Sequence, residues 1–199
     1  MVLPGHLAGG YLATTALFSI VQLPVSENEL NALYIIGTLA GEIPDIDLFA
    51  FYFKNKLKKI NDSKQVLPDQ LSNNSSSEET HRNYFTHIPI FWLILSSTIS
   101  SLGIIFNSDF IVGLGLVLLA GTISHFILDS IDYGIAWLRP FSSKRFCLFK
   151  MEITENKSTD IITGSILYYW NYLKSQYIKQ PTFYFEVLIT ATALYFLFK

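Results

Sequence analysis

The chain has 199 residues, half of them apolar, 15% aromatic and only 15% charged, with a mean hydropathy of +0.35. A soluble domain carries nearer a quarter charged residues, so this is membrane-protein composition, and a net charge of −2 offers no surface for nucleic acid. The single cysteine, Cys147, excludes an internal disulfide and a cysteine-rich zinc site, and reads as a small filler residue.

The N-terminus MVLPGHLAGG has no basic residue before its apolar run, which is unlike a cleavable signal peptide. Leu7–Val25 is uncharged over 19 positions and reads as a retained first helix. Leu30–Phe53 is long enough to span but holds Glu42, Asp45 and Asp47. Each charge near the middle of a bilayer costs on the order of 3 kcal/mol even on the milder insertion scales. Lys54–Thr80 is polar and has the composition of a solvated loop. Two clear apolar spans follow: Ile88–Ser108, uncharged over 21 positions, and Phe110–Ser124, uncharged over 15 and extended by Phe126–Leu128. Ile161–Tyr172 suits an amphipathic surface helix, and Phe183–Phe198, which holds Glu186, suits a last helix.

The expected fold is therefore an all-α polytopic bundle of four to five transmembrane helices. Residues 1–145 would form the membrane-embedded domain, with the polar loop at 54–80, and residues 146–199 a C-terminal region. Thirteen of the 14 Lys and Arg residues fall in Lys54–Arg82 or Arg139–Lys179; the turns Pro24–Glu29 and Asn107–Asp109 have none. Basic loops stay in the cytoplasm, so that side and the N-terminus should be cytoplasmic.

The four histidines, His6, His81, His87 and His125, all fall toward that face, as do Asp45, Asp47, Asp129 and Asp132. In SHFILDSIDYG, His125, Asp129 and Asp132 stand at i, i+4 and i+7 and share one helix face. In GEIPDID, Pro44 interrupts the helix, and irregular backbone at membrane depth needs protein or a wet cavity around it. In THRNYFTH, two histidines bracket Arg82, whose fixed positive charge suits a phosphate or carboxylate. Histidine nitrogens mixed with carboxylate oxygens suit a divalent metal, zinc first, with manganese or iron as alternatives. Gly9-Gly10 and Gly113/Gly115 read as close helix packing rather than phosphate-binding loops.

The ordered set GHLAGG, GEIPDID, HRNYFTH and SHFILDSIDYGIAWLRPF resembles the YdjM-type family of predicted inner-membrane metal-dependent hydrolases of prokaryotes, over roughly residues 1–145. The resemblance implies that His6, Asp45, Asp47, His81, Arg82, His87, His125 and Asp129 occupy family motif positions, with Gly134, Pro140 and Phe141 closing the set. Asn83, Ile88 and Asp132 depart from the family pattern beside these positions rather than at them.

The leading reading is a multi-pass inner-membrane hydrolase. His6, Asp45, His81, His87, His125 and Asp129 would ligate the metal. Asp47 or Asp132 would be the general base, and Arg82 would hold an anionic substrate, a lipid phosphoester or ester suggested by the depth of the site. One alternative is a non-catalytic membrane protein with a structural metal site and a partner-binding loop. Another is a divalent-cation transporter, disfavoured because the outer half has only Glu27, Glu29 and Asp109, all in turns. A vanadium-haloperoxidase-type phosphatase is disfavoured by the missing Pro-Ser-Gly-His motif.

Overall fold

A computed structural model of the chain describes residues 3–47, 85–132, 134–149 and 177–199. Among these residues the fold is helical: α1 (Leu3–Ile20), α2 (Glu27–Ala40), α3 (Pro89–Ile105), α4 (Asp109–Asp132) and α5 (Pro181–Leu197). A single β-bridge, Ile135 to Phe146, closes the segment after α4. The polar loop 54–80 and the surface helix expected over Ile161–Tyr172 lie outside the described residues.

The helix boundaries follow local chemistry. Ser26 caps α2 in a reciprocal box with Glu29, each satisfying the other's backbone N–H. Pro89 and Pro181 open α3 and α5, where a missing N–H is harmless. Helix α2 stops at Ala40, well short of the Leu30–Phe53 apolar run. The chain then turns through Gly41–Glu42 into a 3₁₀ turn, Ile43–Ile46, that carries Pro44. Gly134, at φ +80°, reverses the chain after α4, with its N–H donating to the Asp129 carbonyl at 2.9 Å.

Helix α4 is the long central element, packing against α1, α2 and α3, while α1 also packs on α2 and α5. Small residues let α1, α2 and α4 approach closely. A Cβ on Gly10 would lie 2.7 Å from the carbonyl oxygens of both Gly37 and Thr38, and one on Gly121 would lie 2.6 Å from the Ala40 Cβ. Gly113 packs likewise, against Leu33 and Leu23. Glu186 fastens α5 to the start of α1: its Oε1 accepts the Gly5 N–H at 3.0 Å, one of the donors a helix N-terminus leaves open, and its other oxygen accepts the Tyr177 hydroxyl.

Of the described helices, α4 has a stretch long and apolar enough to cross a membrane, Asp109–Ile131; α3 and α5 are apolar but shorter, at 17 residues each. Large apolar side chains face outward, among them Ile94, Ile104 and Ile105 on α3 and Leu188 and Tyr195 on α5. An apolar exterior of this kind marks contact with something other than water. The start of α1, the end of α2, the start of α3, the end of α4 and the start of α5 share one end of the bundle.

Candidate metal centre

Four segments bring histidine or aspartate to that end: His6 from α1, Asp45 and Asp47 from the 3₁₀ turn, His87 from the turn Phe85–His87, and His125 with Asp129 from α4. Phe126, Trp92 and Ile135 form the apolar floor beneath them. Trp92 donates to the Thr86 carbonyl at 2.7 Å, fixing the turn that delivers His87, and the Thr86 hydroxyl donates to Asp47.

One imidazole sits between two carboxylates. His87 Nδ1 is 2.7 Å from Asp47 Oδ2, and its Nε2 is 3.2 Å from Asp45 Oδ1. Burial alone would pull the His87 imidazole down, but the hydrogen bonds to Asp45 and Asp47 outweigh it and raise it to about 9. His125 is wholly buried, with Nδ1 2.8 Å from the Gly41 carbonyl. A carbonyl can only accept, so Nδ1 carries the hydrogen, and in the neutral ring Nε2 presents its lone pair. That Nε2 makes no hydrogen bond and faces Asp45 Oδ1 and Asp129 Oδ2, each at 3.9 Å.

One donor atom from each of Asp45, His87, His125 and Asp129 lies within 4.8 Å of the other three. Donors sharing one ion at bond lengths of about 2.0–2.2 Å stand roughly 3–4.4 Å apart, so this set needs only small shifts to close on a cation. The chemistry fits once a cation displaces the His87 Nε2 proton held by Asp45: two imidazoles, two carboxylates, and outer partners (the Gly41 carbonyl and Asp47) that orient the rings as ligand-bearing histidines require. Asp45, with 19% of its side chain exposed, is the open side of an otherwise buried cluster.

Among the other expected site residues, His6 lies beside the four donors, its ring stacked on His125 at 4.2 Å and its Nε2 3.4 Å from Asp129 Oδ1. Asp47 is buried beneath His87 rather than at the opening. His81, Arg82 and the side chain of Asp132 lie outside the described residues. Three contributors escaped the sequence reading: the Gly41 carbonyl, Thr86 and Trp92. Only Thr86 carried a signal, standing next to His87 within HRNYFTH.

A family model described as "YdjM inner membrane protein" matches residues 1–199. The chain belongs to the YdjM family. The match runs past residue 145 and takes in the C-terminal region of this YdjM-family protein, including α5 and its Glu186 anchor on α1. No curated protein and no solved structure matches the chain.

Proposed function

We propose that this YdjM-family protein is a membrane-embedded, metal-dependent hydrolase acting on a phosphoester or ester at the cytoplasmic headgroup layer. The observation that carries this reading is the convergence of Asp45, His87, His125 and Asp129 from three separate segments, with their donor atoms within 4.8 Å and the His125 ring held by the Gly41 carbonyl. Structural sites are usually closed by protein ligands on all sides, whereas a reactive site keeps one side open; the partial exposure of Asp45 supports the second.

A divalent cation bound there, zinc first and manganese or iron next, would supply Lewis-acid polarisation of the scissile ester and acidify a water. The protein's own groups have distinct tasks. Asp45, His87, His125 and Asp129 hold the ion, and His81 joins them. Asp47, already bonded to His87 and Thr86, orients the His87 ring in place of the general-base role expected for it. Asp132 is then the base, and Arg82 binds the anionic part of the substrate.

The same reading has four to five segments crossing the inner membrane, with the N-terminus and the site on the cytoplasmic side. It is supported by the family's description as an inner membrane protein and by the outward apolar side chains of α3 and α5. The strongly basic segments 54–82 and 139–179 both connect at the site end of the bundle. At the opposite end Glu29 is engaged in capping α2, which favours hydrolysis over transport across the bilayer.

The test is hydrolysis of phosphoester and carboxylic-ester lipids by the purified chain in vesicles, with and without chelator. Chelator-sensitive turnover lost in His125→Ala and Asp45→Ala, both still folded, is expected. Turnover unaffected by either variant would refute the site, and absence of any bound metal after loading with zinc, manganese or iron would refute the mechanism.

A further inference from the structure

Asp129 presents its two oxygens to two different histidines. Oδ2 faces His125 Nε2 at 3.9 Å, while Oδ1 faces His6 Nε2 at 3.4 Å. His6 is fully buried, and neither of its ring nitrogens makes a hydrogen bond. A buried polar group left so is costly unless something in the folded protein engages it, and the neighbouring Gly5 N–H is already anchored on Glu186. Glu42 supplies a third group. Its Oε1 is buried without a hydrogen-bond partner, and the side chain lies within electrostatic reach of His6, Asp45 and Asp129. Glu42 stands at the head of the turn that delivers Asp45.

We propose that the centre holds two divalent cations, the second bound by His6 and Glu42 and bridged to the first through Asp129. This rests on the metal-centre reading above and adds its nuclearity. A carboxylate with an imidazole on each oxygen is the geometry of a bridging ligand, and paired ions about 3.5–4 Å apart serve in-line displacement at phosphorus by stabilising both the entering and the leaving oxygen. The substrate class narrows accordingly from esters in general to phosphoesters. In the competing arrangement His6 is only a hydrogen-bonding neighbour of Asp129, Glu42 is idle, and the centre takes one ion.

Manganese distinguishes these arrangements without any turnover. The full chain, purified in mild detergent and stripped with chelator, is loaded with Mn²⁺; bound metal is measured by elemental analysis and its spin coupling by electron paramagnetic resonance. We expect about two ions per chain with a coupled signal, falling to one uncoupled ion in Glu42→Gln and in His6→Gln, with helicity and elution profile unchanged. One ion in the unmodified chain would overturn the two-cation inference while leaving the metal centre standing. Two ions retained in both variants would overturn the assignment of His6 and Glu42. No ion at all, with zinc tried in parallel, would overturn the inference together with the reading it rests on.

Discussion

Gly10 offers the sharpest test of how packing builds the candidate metal centre. A Cβ there meets the Gly37 and Thr38 carbonyl oxygens at 2.7 Å and the Gly41 nitrogen at 3.2 Å, and these are backbone atoms that cannot rotate aside. Ordinary contact begins near 3.4 Å, so Gly10→Ala must part α1 from α2 by about 0.7 Å, a gap large enough to forfeit a quarter to a half of each neighbouring dispersion contact. Overpacking of this kind costs roughly 1–3 kcal/mol, or about 2–4 °C in unfolding temperature for each kcal/mol in a chain of this size. The functional consequence runs through Gly41, whose carbonyl holds His125 Nδ1 at 2.8 Å. Moving that carbonyl by about 0.7 Å takes the bond beyond useful hydrogen-bonding range and releases the ring, which for an outer-shell partner lowers metal affinity about 10- to 100-fold. The assay is zinc affinity by chelator competition beside thermal unfolding in detergent. Gly103→Ala is the control: its Cβ would meet the Val112 nitrogen at 2.5 Å, at the opposite end of the bundle. It should destabilise comparably and leave zinc affinity alone. Equal losses of affinity in the two variants, or none in Gly10→Ala, would refute the argument that this contact sets the site.

Asp47→Asn keeps the size of the side chain but weakens its hold on the His87 ring; zinc affinity should fall about 10- to 100-fold with the fold intact, and an unchanged affinity would remove Asp47 from any orienting role. Glu186→Ala takes the acceptor from both Gly5 and Tyr177. Hydrogen bonds to charged groups contribute about 1.5–3 kcal/mol each, so a drop of several degrees in unfolding temperature is expected, and none would mean that α5 is held to α1 by apolar contact alone. Topology is tested in a Cys147→Ser background with Ser75→Cys or Ser108→Cys. A membrane-impermeant maleimide should label position 108 in intact cells and position 75 only in inverted vesicles; the reverse pattern would overturn the proposed orientation.

The pattern of charge against apolar background made the site legible at the level of segments. His125 and Asp129 are one helical turn apart, so their shared face follows from helix geometry, and the structure has them pointing at one another. Pro44 announced broken backbone near Asp45 and Asp47, and a 3₁₀ turn stands there. What the spacing concealed was the division of labour within that turn. Asp45 and Asp47 lie two residues apart, yet they address opposite nitrogens of a single imidazole. That depends on the register of the Ile43–Ile46 turn against the turn before α3, a contact some 40 positions away along the chain. The buried partners of Glu186 were likewise illegible, because Gly5 is 181 positions distant and nothing local in PTFYFEVLITA names it.

The length of α2 decides why an apolar segment tolerates three carboxylates. Had Leu30–Phe53 been one continuous helix, Glu42, Asp45 and Asp47 would have pointed around most of its circumference at about 100° per residue, and at least one would have faced lipid. Ending the helix at Ala40 replaces that radial spread with a turn whose backbone lies under α1 and α4. The turn is held there because Gly10 and Gly121 bring those helices against residues 37–41. From that position Asp45 and Asp47 meet His87, and Glu42 lies within electrostatic influence of His6. The glycines of GHLAGG, GEIPDID and the α4 segment, and the proline between the acidic residues, are therefore parts of one device. The glycines close the packing and the proline breaks the helix, so that charge which would be intolerable on a lipid-facing helix is gathered where a cation can neutralise it.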